Sequence, residues 1–373
     1  MRSLPTHMGR SIPLMIERKI CMPQRRFLSE KIKQGFTPRI QTFIENALSI
    51  SSAEKQQAIS RASCKLKEFY ALRIEEKKAC LQNYVSDDLS TKNTAIYHME
   101  GSSIPLSSAV WYLGLGKDPF YPAPPSNCNI EILSSEIEKL SQSGDPILIE
   151  ERGAFHGGNL FELIIKLNQK QNAFGLGADI NLPNLSVGIA MNKYLGLEKL
   201  VQIGFGGGYG ISKLDFAGIK AVTMLNLMSV LSPEQASKVI DCSCRSLKSN
   251  DLIVVQTMDC TESNIQQNTK DGNWVKTNVD GLVAFRQDYE YSVAKLEEFA
   301  RSREKLFPSD WEFELGSFDA PVEKTSKILQ HLTFYEKFAL ISLLEKAGFI
   351  PESVKDSADA DGMKRLIIVA RKK

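Results

Sequence analysis

What most constrains this chain is an alternation that begins after Cys128, in which short apolar runs of strand length are separated by stretches with helical periodicity. The first run, Pro146-Ile-Leu-Ile-Glu150, suits a strand buried on both faces. A glycine-bearing turn follows, and then Leu160, Leu163, Ile164 and Leu167 recur along one helical face. Further strands are expected over residues 173–180, 199–205, 221–226 and 252–256, with a helix over 183–195 stopped by Gly196. Ser232-Pro-Glu-Gln235 reads as a capping box with proline at the first helical position. Thr333-Phe-Tyr-Glu336 reads as a second box, opening a helix that turns Phe338, Ile341, Leu344 and Ala347 inward and ends at Gly348. A last strand over 365–370 pairs with residues near 350–354. Such alternation predicts a doubly wound α/β sheet.

The residues before this pattern behave differently. Residues 37–85 are helical in pattern, with Ile40, Phe43, Ile44 and Leu48 at helical spacing and one long helix or two between 53 and 81. The run Tyr121-Pro-Ala-Pro-Pro-Ser reads as a loop or linker. Just before it, Trp111, Tyr112, Phe120 and Tyr121 either cover a pocket or pack between domains. We therefore expect a mainly helical N-terminal region over 1–128 and an α/β domain over 129–373, with an insert at 259–330. The first 36 residues are basic, with only Glu17 and Glu30 opposing Arg2, Arg10, Arg18, Lys19, Arg25, Arg26, Lys31 and Lys33. They read as a flexible tail, a first helix or an organelle transit peptide.

Charge excludes some partners. With 46 basic and 44 acidic residues the net charge is +2, which supplies no general field for nucleic acid or a membrane surface. No apolar run approaches the roughly 18 residues of a membrane span. The 7 cysteines include no Cys-x-x-Cys pair, so reduced thiols fit better than a zinc or disulfide framework. A cytoplasmic location without a metal follows as the expectation, with organelle targeting as the alternative.

Two features carry chemistry. The segment Glu150-Glu-Arg-Gly-Ala-Phe-His-Gly-Gly158 lies between the first strand and its helix, where glycine lets a ligand approach the backbone. Asp179 stands at the end of the second strand, where a carboxylate can accept the two hydroxyls of a ribose. Together with Ala221-Val-Thr-Met-Leu-Asn-Leu-Met-Ser and the ending Thr333 to Phe349 and Leu366-Ile-Ile-Val-Ala, these features make residues 129–373 resemble the class I, Rossmann-like S-adenosylmethionine-dependent methyltransferases. The resemblance implies a mostly parallel seven-stranded sheet with an antiparallel last strand, and S-adenosylmethionine as cofactor. It places Glu151, Gly153 and Gly157 near the methionine part, Asp179 on the ribose, and Ile180 beside the adenine. Asn226, Leu227 and Met228 would edge the pocket where the methyl group emerges. The chain departs from the family pattern at Phe155, where a further glycine is usual, and at Gly206-Gly-Gly208, where an acid is common.

If the acceptor must lose a proton, His156 is the base to test first. The segment after the fourth strand, Asn226-Leu-Met-Ser, lacks an Asn-Pro-Pro-Tyr pattern, which weighs against a nucleic-acid base or a glutamine amide as acceptor; a small molecule is the first expectation and a protein side chain the second. Two alternatives stay open. One is a degenerate, cofactor-free domain acting as a binding module. The other is a nicotinamide-dependent dehydrogenase, against which the absence of an intact Gly-x-Gly-x-x-Gly counts.

Overall fold

The computed structural model describes residues 40–84, 95–96, 129–141, 144–179, 182–205, 214, 216–270, 274–279, 282–290, 327–358 and 362–373. Seven strands build the main sheet: β1 (Pro146–Arg152), β2 (Asn172–Asp179), β3 (Val201–Phe205), β4 (Ile219–Leu225), β5 (Leu252–Met258), β9 (Phe349–Ala358) and β10 (Lys364–Lys372). Their spatial order is β3-β2-β1-β4-β5-β10-β9, and the two residues Ala95–Ile96 pair in parallel on the outer edge of β3. The pairs among β1 to β5 are parallel. β10 runs antiparallel to both β5 and β9. This is the mostly parallel seven-stranded sheet with an antiparallel last strand that the sequence implied.

Both faces of the sheet are covered, which explains why its strands are apolar throughout. On β10, Ile367 and Val369 enter one core, while Leu366, Ile368 and Ala370 enter the other. The first core lies under α1 (residues 40–48), α2 (Ser52–Ala71), α3 (Ile74–Gln82), α4 (Ile130–Leu140), α5 (Gly158–Leu167) and α6 (Leu182–Leu195). The second lies under α7 (Pro233–Ser246) and α9 (Lys337–Lys346). The N-terminal helices thus share a core with the sheet: Ile59, Leu66 and Phe69 of α2 are buried in it. Burying side chains of this size contributes roughly 2 kcal/mol each. The chain breaks between α2 and α3 at Leu72, whose backbone is extended.

Local signals and tertiary pairing compete in the second half. The Ser232 box forms as read, with Ser232 Oγ accepting from the Gln235 amide at 3.2 Å and Gln235 Oε1 accepting from the Ser232 amide at 2.9 Å. The Thr333 box does not form. Thr333 lies in β8 (Lys327–Phe334), which pairs with β7 (Leu282–Glu290), and its hydroxyl donates to the Leu231 carbonyl at 2.7 Å. The helix cap is Glu336, without a side-chain bond. Phe338 in the first turn of α9 is 81% exposed rather than inward, and Leu340 and Leu344 are the buried pair. Gly348 does end that helix in the left-handed region (φ +93).

Within the insert, α8 (Glu262–Thr269) precedes a three-stranded antiparallel sheet of β6 (Val275–Val279), β7 and β8. Phe285 and Phe334 meet there edge to face at 5.7 Å and pack with Met258 and Val283. The basic N-terminus, the aromatic and proline-rich segment at 111–126, Ile180, Gly206-Gly-Gly208 and residues 291–326 lie outside the described residues.

Candidate functional site

The turn between β1 and α5 organises the carboxyl edge of the sheet. Gly153 (φ +70) and Gly157 (φ +80) are left-handed, and so is Phe155 between them (φ +54). A side chain in that region costs about 1–2 kcal/mol, so the surroundings must hold Phe155 there. They do so through Asp179: its Oδ2 accepts the Phe155 amide at 2.7 Å. The Gly153 and Ala154 amides both donate to the Ala178 carbonyl, at 2.8 and 2.9 Å. The turn is thereby laced to the end of β2, and Asp179 remains 9% exposed at its edge.

Three consecutive charged residues end β1, and strand alternation sends them to opposite faces. Glu150 and Arg152 face α7. Arg152 is fully buried, with Nε on Glu150 at 2.9 Å and the guanidinium donating to Ser243 Oγ at 2.6 Å and Ser246 Oγ at 3.0 Å. Lys220 of β4 meets the other oxygen of Glu150 at 2.6 Å. Glu151 faces α5 and is fully buried. Burial pushes its carboxyl up to about 8, and the Asp179 charge adds to this. The Asn159 side chain and the Leu160 amide act in the opposite sense, without closing to full hydrogen-bond geometry on either oxygen. The result is a buried acid beside a second acid, at a turn whose glycines pack against Leu227 and Ile203. That arrangement suits a cationic group.

His156 is buried, and its Nδ1 accepts the Gly158 amide at 3.3 Å. Its ring stands against Phe155 with centroids 4.8 Å apart. Burial pushes its pKa down to about 4, so at neutral pH the ring carries no charge. Gly188 of α6 approaches its backbone closely: a Cβ there would lie 2.9 Å from the His156 carbonyl oxygen.

The other expected residues diverge. Leu227 comes to the turn, and a Cβ on Gly153 would lie 2.9 Å from its Cδ1. Asn226 is left-handed (φ +68), and its Oδ1 accepts from Arg365 at 3.0 Å and from Gln256 at 3.5 Å. Met228 is fully buried in the core under α7 and α9, and its carbonyl accepts the Tyr335 hydroxyl at 3.0 Å. A Cβ on Gly157 would meet Ile203 at 2.5 Å, so that glycine serves close packing of α5 on β3. The structure therefore brings together Glu151, Gly153, Phe155, His156, Asp179 and Leu227. It sends Met228 into the core and ties Asn226 to β5 and β10.

Sequence reasoning put Leu227 at the pocket edge but did not foresee its contact with Gly153, and it missed one participant, Tyr70. Leu227 as the cover of Gly153 has no local signal, because the two are distant in the chain. Tyr70 of α2 also reaches this region: a Cβ on Gly158 would lie 3.3 Å from its hydroxyl oxygen. Its pKa is raised by burial and by the nearby Glu162 carboxylate. Among the described residues, no group of three or more His, Cys, Asp and Glu side chains could hold a metal ion. No helix among them is long and apolar enough to cross a membrane.

No family model matches this sequence, and no curated protein matches it. Similar solved structures include an S-adenosylmethionine-dependent methyltransferase from Clostridium acetobutylicum, with 11% identity, 65% of this chain and 89% of that chain covered, and a TM-score of 0.38. A second is a methyltransferase from Methanosarcina mazei, with 18% identity, 64% and 96% covered, and a TM-score of 0.40. A third is the 1,6-didemethyltoxoflavin-N1-methyltransferase of Burkholderia thailandensis, with 13% identity, 72% and 87% covered, and a TM-score of 0.40.

Proposed function

We propose that this chain binds S-adenosylmethionine at the carboxyl ends of β1 and β2 and transfers its methyl group to an acceptor, a small molecule being favoured over a protein. The observation that carries this reading is the acid pair. Glu151 is buried beside Asp179 and completes no hydrogen bond of its own, at a turn held in a glycine-type conformation. A cationic amino-acid tail would satisfy Glu151, and the Asp179 carboxylate at the sheet edge would take ribose hydroxyls. Gly153 and Gly157 shape the turn, Leu227 bounds it and Met228 supports it from the core, while Asn226 is tied to Arg365 and Gln256.

When bound, the cofactor supplies an already activated methyl group, so the protein's work is to align the acceptor and exclude water. A neutral ring with Nδ1 already engaged is suited to fixing the Gly158 amide. We therefore assign His156 to positioning the turn, ahead of proton transfer.

A second reading, a cofactor-free binding module, is favoured by two specific observations. Leu227 already occupies the open side of Gly153, and a phenylalanine stands at the middle left-handed position. Isothermal titration of the full chain with S-adenosylmethionine, its demethylated product and a nicotinamide dinucleotide separates the readings. The proposal expects heat from the first two and none from the third. Silence from all three would favour the binding module.

A further inference from the structure

At the far end of α7, Cys244 and Lys372 stand closer than an ordinary contact allows. Lys372 Nζ lies 2.7 Å from Cys244 Sγ. Nitrogen donors to oxygen settle near 2.9–3.0 Å, and sulfur is the larger atom, so this separation is short for an unlinked pair. It matches the span of a single oxygen atom bridging nitrogen and sulfur. We propose that Cys244 and Lys372 form an N–O–S cross-link when the protein meets a peroxide.

The surroundings hold the pair in place. The Lys372 amide donates to the Asp251 carbonyl at 2.8 Å, and the Lys372 carbonyl accepts from Asn250 at 3.0 Å. Gly348 leaves the space the two side chains use: a Cβ there would lie 3.3 Å from Nζ and 3.6 Å from Sγ. Cys244 is half-buried, within reach of a small oxidant. Cys242, on the same helix, is buried and faces the Arg245 guanidinium at 2.9 Å instead of an amine.

The chemistry balances with two molecules of hydrogen peroxide. The first oxidises the thiol to a sulfenic acid and leaves one water. The second accepts two electrons as the N–O bond forms. One hydrogen leaves the amine and one leaves the sulfenic acid, and two more waters result. The bridge joins α7 to β10. Ser243 and Ser246, on the same turns of α7, grip Arg152 beside the glycine turn, so the link stiffens the helix that backs the candidate site.

The test treats the full chain with hydrogen peroxide, digests it with a glutamate-specific protease and weighs the peptides. The expected product joins the peptides of Cys244 and Lys372, with one oxygen gained and two hydrogens lost. Dithiothreitol should release it. It should be absent from Cys244→Ser and from Lys372→Arg, two changes at partly exposed positions, and Cys242 should remain unlinked. Sulfinic acid at Cys244 without a link, a link lacking the oxygen, or a link that survives in Lys372→Arg would overturn the proposal.

Discussion

The Asp179 carboxylate accepts the Phe155 amide at 2.7 Å, so the acid placed to meet a ribose also holds a phenylalanine in a conformation that glycine prefers. One oxygen, Oδ2, makes that bond. Phe155→Gly removes both the strain and the ring while keeping the amide that Asp179 grips. We predict tighter binding of S-adenosylmethionine by this variant, by about threefold to tenfold, with stability changed by less than about 1 kcal/mol. Calorimetry and denaturant unfolding check the two parts.

Gly153 and Leu227 pack so closely that a methyl group between them must push one away. At φ +70 the substitution Gly153→Ala adds backbone strain to that clash. It should destabilise the protein by about 2–3 kcal/mol. Adding Leu227→Ala should relieve the clash but not the strain, so the double variant should recover less than the whole loss in urea melts.

Glu151 sets a pH dependence. Its folded pKa is raised from 4.5 to about 8, so the folded state holds this proton more tightly than the unfolded chain does. The stability from that proton is complete below pH 4.5, declines as the pH rises, and is gone above about 8. Glu151→Gln should remove this decline: the variant should match the parent near pH 5 and exceed it at pH 9 in melting temperature. Equal slopes for the two proteins would place the acid in solvent.

His156 works in the opposite direction. Burial lowers its pKa from 6.5 to about 4, so stability from the neutral ring is present above pH 6.5 and is lost as the pH falls through 4. His156→Asn keeps an acceptor near the Gly158 amide and cannot titrate. Its melting temperature should fall less than that of the parent between pH 6.5 and pH 4.

Arg152 is as fully buried as Glu150 and Glu151, and it sits between Glu150 and two serines of α7. Arg152→Met takes the guanidinium away from Glu150, and the Ser243 and Ser246 hydroxyls keep their bonds to the Val239 and Ser243 carbonyls. Breaking a buried pair from one side costs about 3–5 kcal/mol. Glu150→Gln added to Arg152→Met should restore part of that loss, measured by a double-mutant cycle.

Much of this architecture was legible because it is written in local chemistry. Ser232, Pro233 and Gln235 satisfy each other within one turn, so their box formed as read. Thr333 carries the same pattern, but pairing of β8 with β7 placed it in a strand and gave its hydroxyl to Leu231. Phe338 follows helical periodicity, yet it sits in the first turn of α9, facing solvent. The Asp179 position at the sheet edge could be counted from the strands. Its bond to Phe155 could not, because that needs the backbone angle at 155. Likewise, the family resemblance put Leu227 at the pocket edge, but its direct packing on Gly153 needs the three-dimensional approach of the turn after β4.

The most direct test of the central claim is calorimetric binding of the demethylated cofactor product to the parent, Glu151→Gln and Asp179→Asn, each shown to be folded. The account predicts saturable one-to-one binding by the parent and a loss of at least about tenfold in each variant. A folded parent that gives no binding heat, or variants that bind as well as the parent, would contradict it.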